Sequence, residues 1–393
     1  MKEIKFKDTE IGKIPEDWEA TTIGKVCDVK RGVRVTREQL SDEGKYPVYQ
    51  NTNYPMGHFD KYNVDANTPF VIVGGSAGLI GLCKERYWAA DDCAYFGQSN
   101  KLDKVFLYYE LAHRQWEIQR FVRTASVPRL DRKVIENFTS PIPPLSEQRR
   151  IASALTSIDN LIFSLSKLIE KKKNIKQGTM QQLLSGKIRL KGFDEPWVEH
   201  TIEELFDLGN GYTPSKSNPA YWTNGTIPWF RMEDIRTNGR ILKDSIQHVT
   251  PEAVKGNGPY PKYSIILSTT ATIGEHALLI ADSLANQRFT FLNRKVNRRD
   301  MIDIIFFYHY CFILGKWCRD NINAGGLLAV NMEDLKNHSI YIPKSIAEQQ
   351  AIATILTKMD NEIIALEAKK AKYEAIKQGM MQQLLTGKIR LIS

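Results

Sequence analysis

Cysteine is scarce. The chain has five, Cys27, Cys83, Cys93, Cys311 and Cys318, among 393 residues. None forms a C-x-x-C pair, so the spacing fits neither a zinc site nor a disulfide framework. Buried reduced thiols are the expectation. No stretch approaches the roughly 20 apolar residues of a membrane span. The opening Met1–Asp8 lacks the apolar core of a signal peptide, which points to the cytoplasm. Catalytic signatures are missing as well. There is no H-E-x-x-H or Gly-x-Ser-x-Gly, and the seven histidines are scattered. Gly74-Gly75-Ser76-Ala77-Gly78 has neither dinucleotide-loop spacing nor the Lys-Ser/Thr of a P-loop, and reads as a tight turn. Asn218-Pro219-Ala220-Tyr221 resembles a base-flipping methyltransferase motif, but lacks its second proline and a nearby cofactor loop. It reads as an ordinary loop. No catalytic, cofactor-binding or metal-ligating residue is expected.

What is present is repetition. Ile175–Leu190 reads IKQGTMQQLLSGKIRL and Ile376–Leu391 reads IKQGMMQQLLTGKIRL, fourteen matches in sixteen at an offset of 201. Upstream, Glu147-Gln148 matches Glu348-Gln349 at the same offset. The starts repeat at an offset of 179: Trp18, Thr22-Ile23, Asp28 and Gly32 match Trp197, Thr201-Ile202, Asp207 and Gly211. The middles, 33–125 and 212–325, share size and texture but not sequence. Drift alone blurs ends and middles alike. Near-identical ends around unlike middles therefore suggest one shared partner surface and two recognition tasks.

The ends are helical. Ser146-Glu147-Gln148 follows Pro141-Ile-Pro-Pro144, a helix-start signal. Apolar residues then fall at Ile151, Leu155, Ile158, Ile162 and Leu165, a heptad seam. The second copy has Ile352, Leu356, Met359, Ile363 and Leu366. Neither run contains proline, and Gly186 and Gly387 supply stops. Each spacing predicts about 57 Å of helix at 1.5 Å per residue. Seams this long need a cover, and the two copies packing antiparallel is the simplest one. The middles predict mixed strands and helices, with one helix over 105–122 and its counterpart over 302–317.

The net charge of +9 is unevenly spread. Between 146 and 191 stand ten basic and three acidic residues, whereas the two large segments are nearly neutral. Lys171-Lys172-Lys173 with Lys176 is either a solvated helix face or a strip along a phosphate backbone.

The duplicated frame resembles the DNA specificity subunit of type I restriction–modification enzymes. The carriers are the two tails ending Gln-Gln-Leu-Leu-Ser/Thr-Gly-Lys-Ile-Arg-Leu, the Pro-rich entries to Glu147-Gln148 and Glu348-Gln349, and Gly211-Tyr-Thr-Pro-Ser215 with Gly225-Thr-Ile-Pro-Trp229. The first unit departs there, with Gly32-Val-Arg-Val and Tyr46-Pro47-Val48-Tyr49. The resemblance implies an α+β chain with a pseudo-two-fold repeat: a target recognition domain at 1–145, a spacer helix at 146–191, a second recognition domain at 192–344 and a second helix at 345–393. It implies double-stranded DNA with a bipartite site, one domain per half, and helices that form an antiparallel coiled coil and set the gap. It also implies two modification subunits, which carry S-adenosylmethionine, and restriction subunits joining them. The chain itself would not be a catalyst. Two other readings fit the same frame: a specificity subunit of a system cutting on both sides of its site, and a coiled-coil scaffold joining two non-DNA modules.

Base edges are read by Arg, Asn, Gln, Ser and Thr from loops and helix ends. The candidates in the first domain are Lys30, Arg31, Arg34, Gln50, Asn51, Asn53, Arg123, Ser126 and Arg129. Those in the second are Arg231, Asn286, Gln287 and Arg288. Leu183, Leu184, Leu384 and Leu385, in the repeated tails, are candidates for docking the modification subunits, unless they only cap the helix pair.

Overall fold

The structure, a computed structural model, describes residues 4–124, 126–256, 258–323 and 328–392. Contacts divide the chain into two compact units, Met1–Leu168 with Leu366–Ser393, and Ile169–Ala365.

In the first unit a four-stranded antiparallel sheet runs in the order Val29–Arg31, Cys93–Phe96, Thr68–Ile72, Ile80–Cys83. Tyr46–Tyr49 pairs antiparallel with His58–Phe59 and parallel with Trp88–Ala89. Thr139–Ile142 returns to pair with Glu19–Thr22. The Asp103 carboxylate accepts from the amides of Val105 and Phe106 and so starts the helix Lys104–His113. The single helix expected over 105–122 is corrected here. Arg114, at φ −106°, interrupts it, and a short helix follows at Gln115–Gln119. The break lets the Arg114 guanidinium reach the Thr139 carbonyl at 2.7 Å as well as Glu110 and Glu117.

The second unit repeats this wiring with different residues. Its five-stranded sheet runs Phe206–Asn210, Phe289–Arg294, Ile265–Ser268, His276–Leu279, Ile241–Leu242. Ile227–Phe230 pairs antiparallel with His248–Val249 and parallel with Leu284–Ala285. Ser339–Pro343 pairs with Trp197–Thr201. Asp303 caps the helix Ile304–Asp320 through the amides of Ile305 and Phe306.

The long helices span Leu145–Leu183 and Ile346–Leu384, 39 residues each. Each ends just before a glycine with positive φ, Gly186 at +70° and Gly387 at +69°. In the first unit Ile151 and Leu155 are fully buried among Trp18, Ile23, Phe106 and Leu107, and Met381, Leu384 and Leu385 join the same cluster. In the second unit Ile352 and Leu356 pack with Leu183, Leu184, Trp197, Phe306 and Phe307. The start of each seam is thus covered by a globular core together with the tail of the other helix. Ile158, Leu165 and Ile363 are buried, whereas Ile162, Met359 and Leu366 are only partly so.

Ion pairs order the helix segments within each unit. In the second unit Lys172 meets Glu362 at 2.7 Å and Lys176 pairs with Asp360, so the numbering runs in opposite senses. In the first unit Lys377 meets Asp159 at 2.7 Å. Two residues of the lysine run are therefore engaged by the facing helix. The Glu-Gln motif explains itself here. Gln148 accepts from the Asp103 amide at 2.8 Å and donates to the Lys101 and Pro143 carbonyls. Gln349 does the same with Asp303, Met301 and Pro343. Glu147, 1% exposed, takes both arms of Arg390 at 2.8 and 2.7 Å and the Trp18 indole N–H at 3.1 Å. Glu348 holds Arg189 at 2.6 and 2.8 Å.

Leu183, Leu184, Leu384 and Leu385 are 5%, 1%, 5% and 1% exposed. This corrects the expectation that they form a docking surface. Tail residues entering a domain core present no face to a partner. The five cysteines are free and buried. Asn218 caps the short helix Pro219–Tyr221 by accepting from the Ala220 amide, so that motif is turn chemistry. Among the described residues no helix is long and apolar enough to cross a membrane, and no group of three or more His, Cys, Asp or Glu could hold a metal ion.

Candidate nucleic-acid interface

Gly32 fixes the first site. A Cβ there would stand 1.9 Å from the Ala90 carbonyl oxygen, so only glycine lets the edge strand Val29–Arg31 run onto the Ala89–Cys93 turn. The Gly32 amide donates to Cys93 and that of Val33 to Ala89. Arg31 Nε then donates to the Asp91 carbonyl at 3.0 Å. Lys30 is exposed on the same strand.

Tyr46–Tyr49 delivers Gln50 and Asn51 beside this turn. The Ala90 amide donates to the Tyr49 carbonyl, and the Cys93 thiol to that of Gln50 at 3.2 Å. Burial pushes that thiol's pKa up, which suits a structural group. Gly75, at φ +85°, sits against Asn51, where a Cβ would lie 2.7 Å from the Asn51 Cβ. The Ser76 amide donates to the Asn51 carbonyl and the Gly75 amide to Pro128. Arg123 and Arg129 exchange two backbone hydrogen bonds, Ser126 is exposed between them, and the Arg129 guanidinium pairs with Asp92. Residue 125 lies outside the described residues.

The fold therefore brings together loops that are far apart in sequence: the run after Tyr49, the glycine turn, and the Arg123–Arg129 loop. Arg34, Gln50 and Asn51 line one open cleft of 820 Å³ with Thr36, Arg37 and Met56. Asn53 is exposed beyond it and does not line it. Sequence reasoning missed Asp91 and Asp92. An acidic pair in a nearly neutral segment carries no signal until the fold sets the Asp92 carboxylate against Arg129 and the Asp91 carbonyl against Arg31.

The second site has the same backbone frame. Gly211, whose Cβ would stand 2.2 Å from the Asn286 carbonyl oxygen, replaces Gly32. Its amide donates to Phe289, that of Tyr212 to Ala285, and that of Asn286 to Phe230. Arg231 thus occupies the place of Gln50. It caps a short helix, its amide donating to Asp234 at 2.7 Å, and its side chain meets Glu233 at 3.0 Å. Asn286 turns inward to accept from the Arg288 amide at 3.1 Å, and Gln287 accepts from the Thr213 hydroxyl at 2.5 Å. Arg288 is exposed. Thr213 was also missed, because its role depends on a residue 74 positions away. Of the basic groups at 294–299, Arg294 donates to the Ile302 carbonyl and Lys295 to that of Glu203, so both have structural roles.

Two mixed α/β domains, each with exposed polar side chains on a shared backbone frame, define a protein built for two related recognition events. The chain belongs to the family described as the type I restriction modification DNA specificity domain, whose profile matches residues 15–177 and 194–378. It is a specificity subunit of that kind, and its role is DNA sequence recognition. It is 46% identical over 175 residues to the type I restriction enzyme EcoprrI specificity subunit of Escherichia coli, a match covering 43% of each chain. It is 26% identical to the MjaVIII specificity subunit of Methanocaldococcus jannaschii, across 99% of this chain and 97% of that one. Its fold is similar to the crystal structure of a type I S subunit from M. genitalium, with a TM-score of 0.69 at 20% identity over 93% of this chain and 96% of that one. A second similar structure comes from work on complex assembly in a type I R-M system, with a TM-score of 0.57 at 16% identity over 96% of this chain and 99% of that one.

Proposed function

We propose that the two domains, 1–145 and 192–344, each read one half of a bipartite double-stranded DNA target. The helices of 146–191 and 345–393 form an antiparallel coiled coil about a pseudo-two-fold axis and set the gap. They also dock two modification subunits, which carry the S-adenosylmethionine and methylate the DNA; restriction subunits join these, and the assembly works in the cytoplasm. This chain contributes recognition and not catalysis.

One observation carries the reading. The same backbone frame is built twice, yet it carries different side chains: Gln50, Asn51 and Asp92 in one domain, Arg231, Asn286 and Arg288 in the other. Identical frames with unlike contents suit two unlike half-sites. The opposed lysine–carboxylate pairs support the antiparallel arrangement. With the tail leucines buried, docking falls to positions exposed in both copies: Phe163 and Ile364 at 57% and 59%, and Ile188 and Ile389 at 49% and 52%. Paired exposure of large apolar groups at an offset of 201 suits two copies of one partner.

The test is co-expression with a modification subunit, followed by methylation-sensitive sequencing of the host DNA. Q50A/N51A in this chain should relax one half-site and leave the other intact. Equal relaxation of both halves, or no sequence-selective methylation by the wild-type complex, refutes the reading.

A further inference from the structure

At one place the two frames solve the same problem from opposite sides. In the first domain the Val73 amide donates to the Asp92 carbonyl at 2.7 Å, and the Leu130 amide to the Val73 carbonyl at 2.9 Å. In the second the Thr269 amide donates to Arg288 at 3.1 Å, and the Val330 amide to Thr269 at 2.9 Å. Gly74 bridges Arg129 as Thr270 bridges Ala329. The three bonds after Gly32 and Gly211 extend the match. Asp92 therefore stands where Arg288 stands, and Arg129 where Ala329 stands.

The side chains at these positions are exchanged. The first domain has a carboxylate on the turn and an arginine on the loop, and the two pair. The second has an arginine on the turn and an alanine on the loop. Each domain thus presents one guanidinium at this turn-and-loop pair, from the loop in the first and from the turn in the second. Arg129 remains 56% exposed on its side chain, and only Nη1 is engaged by Asp92. Its other nitrogens are turned to no recorded partner among the described residues, and the same holds for the whole Arg288 guanidinium.

We propose that Arg129 and Arg288 are the guanine-reading residues of the two half-sites and that Asp92 is a positioning residue for Arg129. A guanidinium fork matches guanine O6 and N7 in the major groove, the commonest specific contact of this kind. Arg129 sits on a loop and needs a holder. Arg288 grows from the turn itself, whose Asn286 side chain fixes its backbone amide, and needs none. Asp92 satisfies one arm of Arg129 and leaves the rest of the fork for the base. Each half-site therefore contains a guanine, at equivalent positions counted from the gap. The proposal rests on the DNA-reading role set out above.

The experiment is selection of binding sites from a randomised duplex library by the complex of this chain with its modification subunit, at fixed salt. R129A should reduce discrimination at one G·C pair of one half-site by about tenfold to a hundredfold, and R288A at one G·C pair of the other. R129K, which keeps the charge and loses the fork, should lose the same preference and so separates reading from folding. D92A should relax the position that R129A relaxes, and D92A/R129A should do no more than R129A. A merely structural Asp92 would weaken every position together. The decisive variant is R288D/A329R, which rebuilds the first domain's arrangement in the second. It should restore the guanine preference that R288D removes. If the wild-type complex selects its site while R129A, R129K and R288A leave every preference unchanged, the assignment falls and the DNA-reading role stands. If the wild-type complex selects no sequence, both fall.

Discussion

Arg390 is the point at which the end of the second helix's tail is fastened to the first domain. Its guanidinium bonds Glu147 at 2.8 and 2.7 Å and Asp17 at 2.8 and 2.6 Å, and it lies 5.6 Å from the centre of the Trp18 ring. Glu147 is 1% exposed on its side chain and Arg390 8%. The two carboxylates push the Arg390 pKa up, and Arg390 lowers that of Asp17. Arg390→Met keeps the stem and removes the fork. Among the described residues Glu147 is then left buried with only the Trp18 indole and the Leu391 amide, which donates at 3.2 Å. Breaking a buried pair from one side costs about 3–5 kcal/mol. The Asp17 half is exposed and adds at most about 1 kcal/mol. We expect Arg390→Met to lose about 3–5 kcal/mol, and Glu147→Gln/Arg390→Met to recover part of it by removing the stranded charge. Arg189→Met should cost less, because Arg189 is 27% exposed and lacks the second carboxylate. Urea denaturation with hydrogen exchange on peptides from each unit would read both effects in a double-mutant cycle. A folded Arg390→Met protein within about 0.5 kcal/mol of wild type, or a cycle with no coupling, would refute the reasoning.

Three further outcomes follow from the same contacts. Burial, with Arg240 beside His276 and Lys176 beside His309, lowers both histidines to about 3, so each is neutral when folded and takes a proton on unfolding below about pH 6.5. Their contribution is intact above that pH and is lost on acidification, by about 1.4 kcal/mol per histidine at pH 5.5; denaturation of the second unit at pH 7.5 and 5.5, with and without His276→Phe, measures it. Leu384→Asp places a carboxylate in the core containing Trp18 and Ile151 and should unfold the first unit, at about 4 kcal/mol or more, instead of only releasing a partner; retained exchange protection in that core would contradict this. One heptad inserted near Leu165 and another near Leu366 adds about 10 Å to each helix and should lengthen the preferred gap by about three base pairs with the half-sites unchanged, as read by selection from a library of randomised gaps.

The repeat was legible because its signal is identity, fourteen positions in sixteen. The long helices were legible because a heptad period survives any packing. What covers the seam was not. A period states which residues share a face and nothing about the surface that meets it, so Ile151 and Leu155 read as helix-pairing residues yet also lie in a domain core. The tail leucines misled for a related reason: repetition marks shared constraint, and a buried core constrains sequence as firmly as a partner does. The candidate clefts were half legible. Gln50, Asn51 and Arg288 stood out by residue type, whereas Asp92 gains meaning only across 37 positions, from Arg129. The common strand wiring of the two domains was invisible, since backbone pairing leaves side chains free to differ.

Gln148 and Gln349 extend that freedom to the joints. Every recorded partner of their amides is a backbone atom: an amide at Asp103 or Asp303 and carbonyls at Lys101 and Pro143, or Met301 and Pro343. A joint of this kind is indifferent to the side chains of the segment it holds. It asks only that the incoming chain deliver one N–H and one C=O at the right places and begin its helix there. Any domain meeting those terms could be seated between a fixed start and a fixed helix without redesign of either. The chain is in that sense a mounting plate, in which new binding preferences are acquired by exchanging whole inserts and not by adjusting the frame.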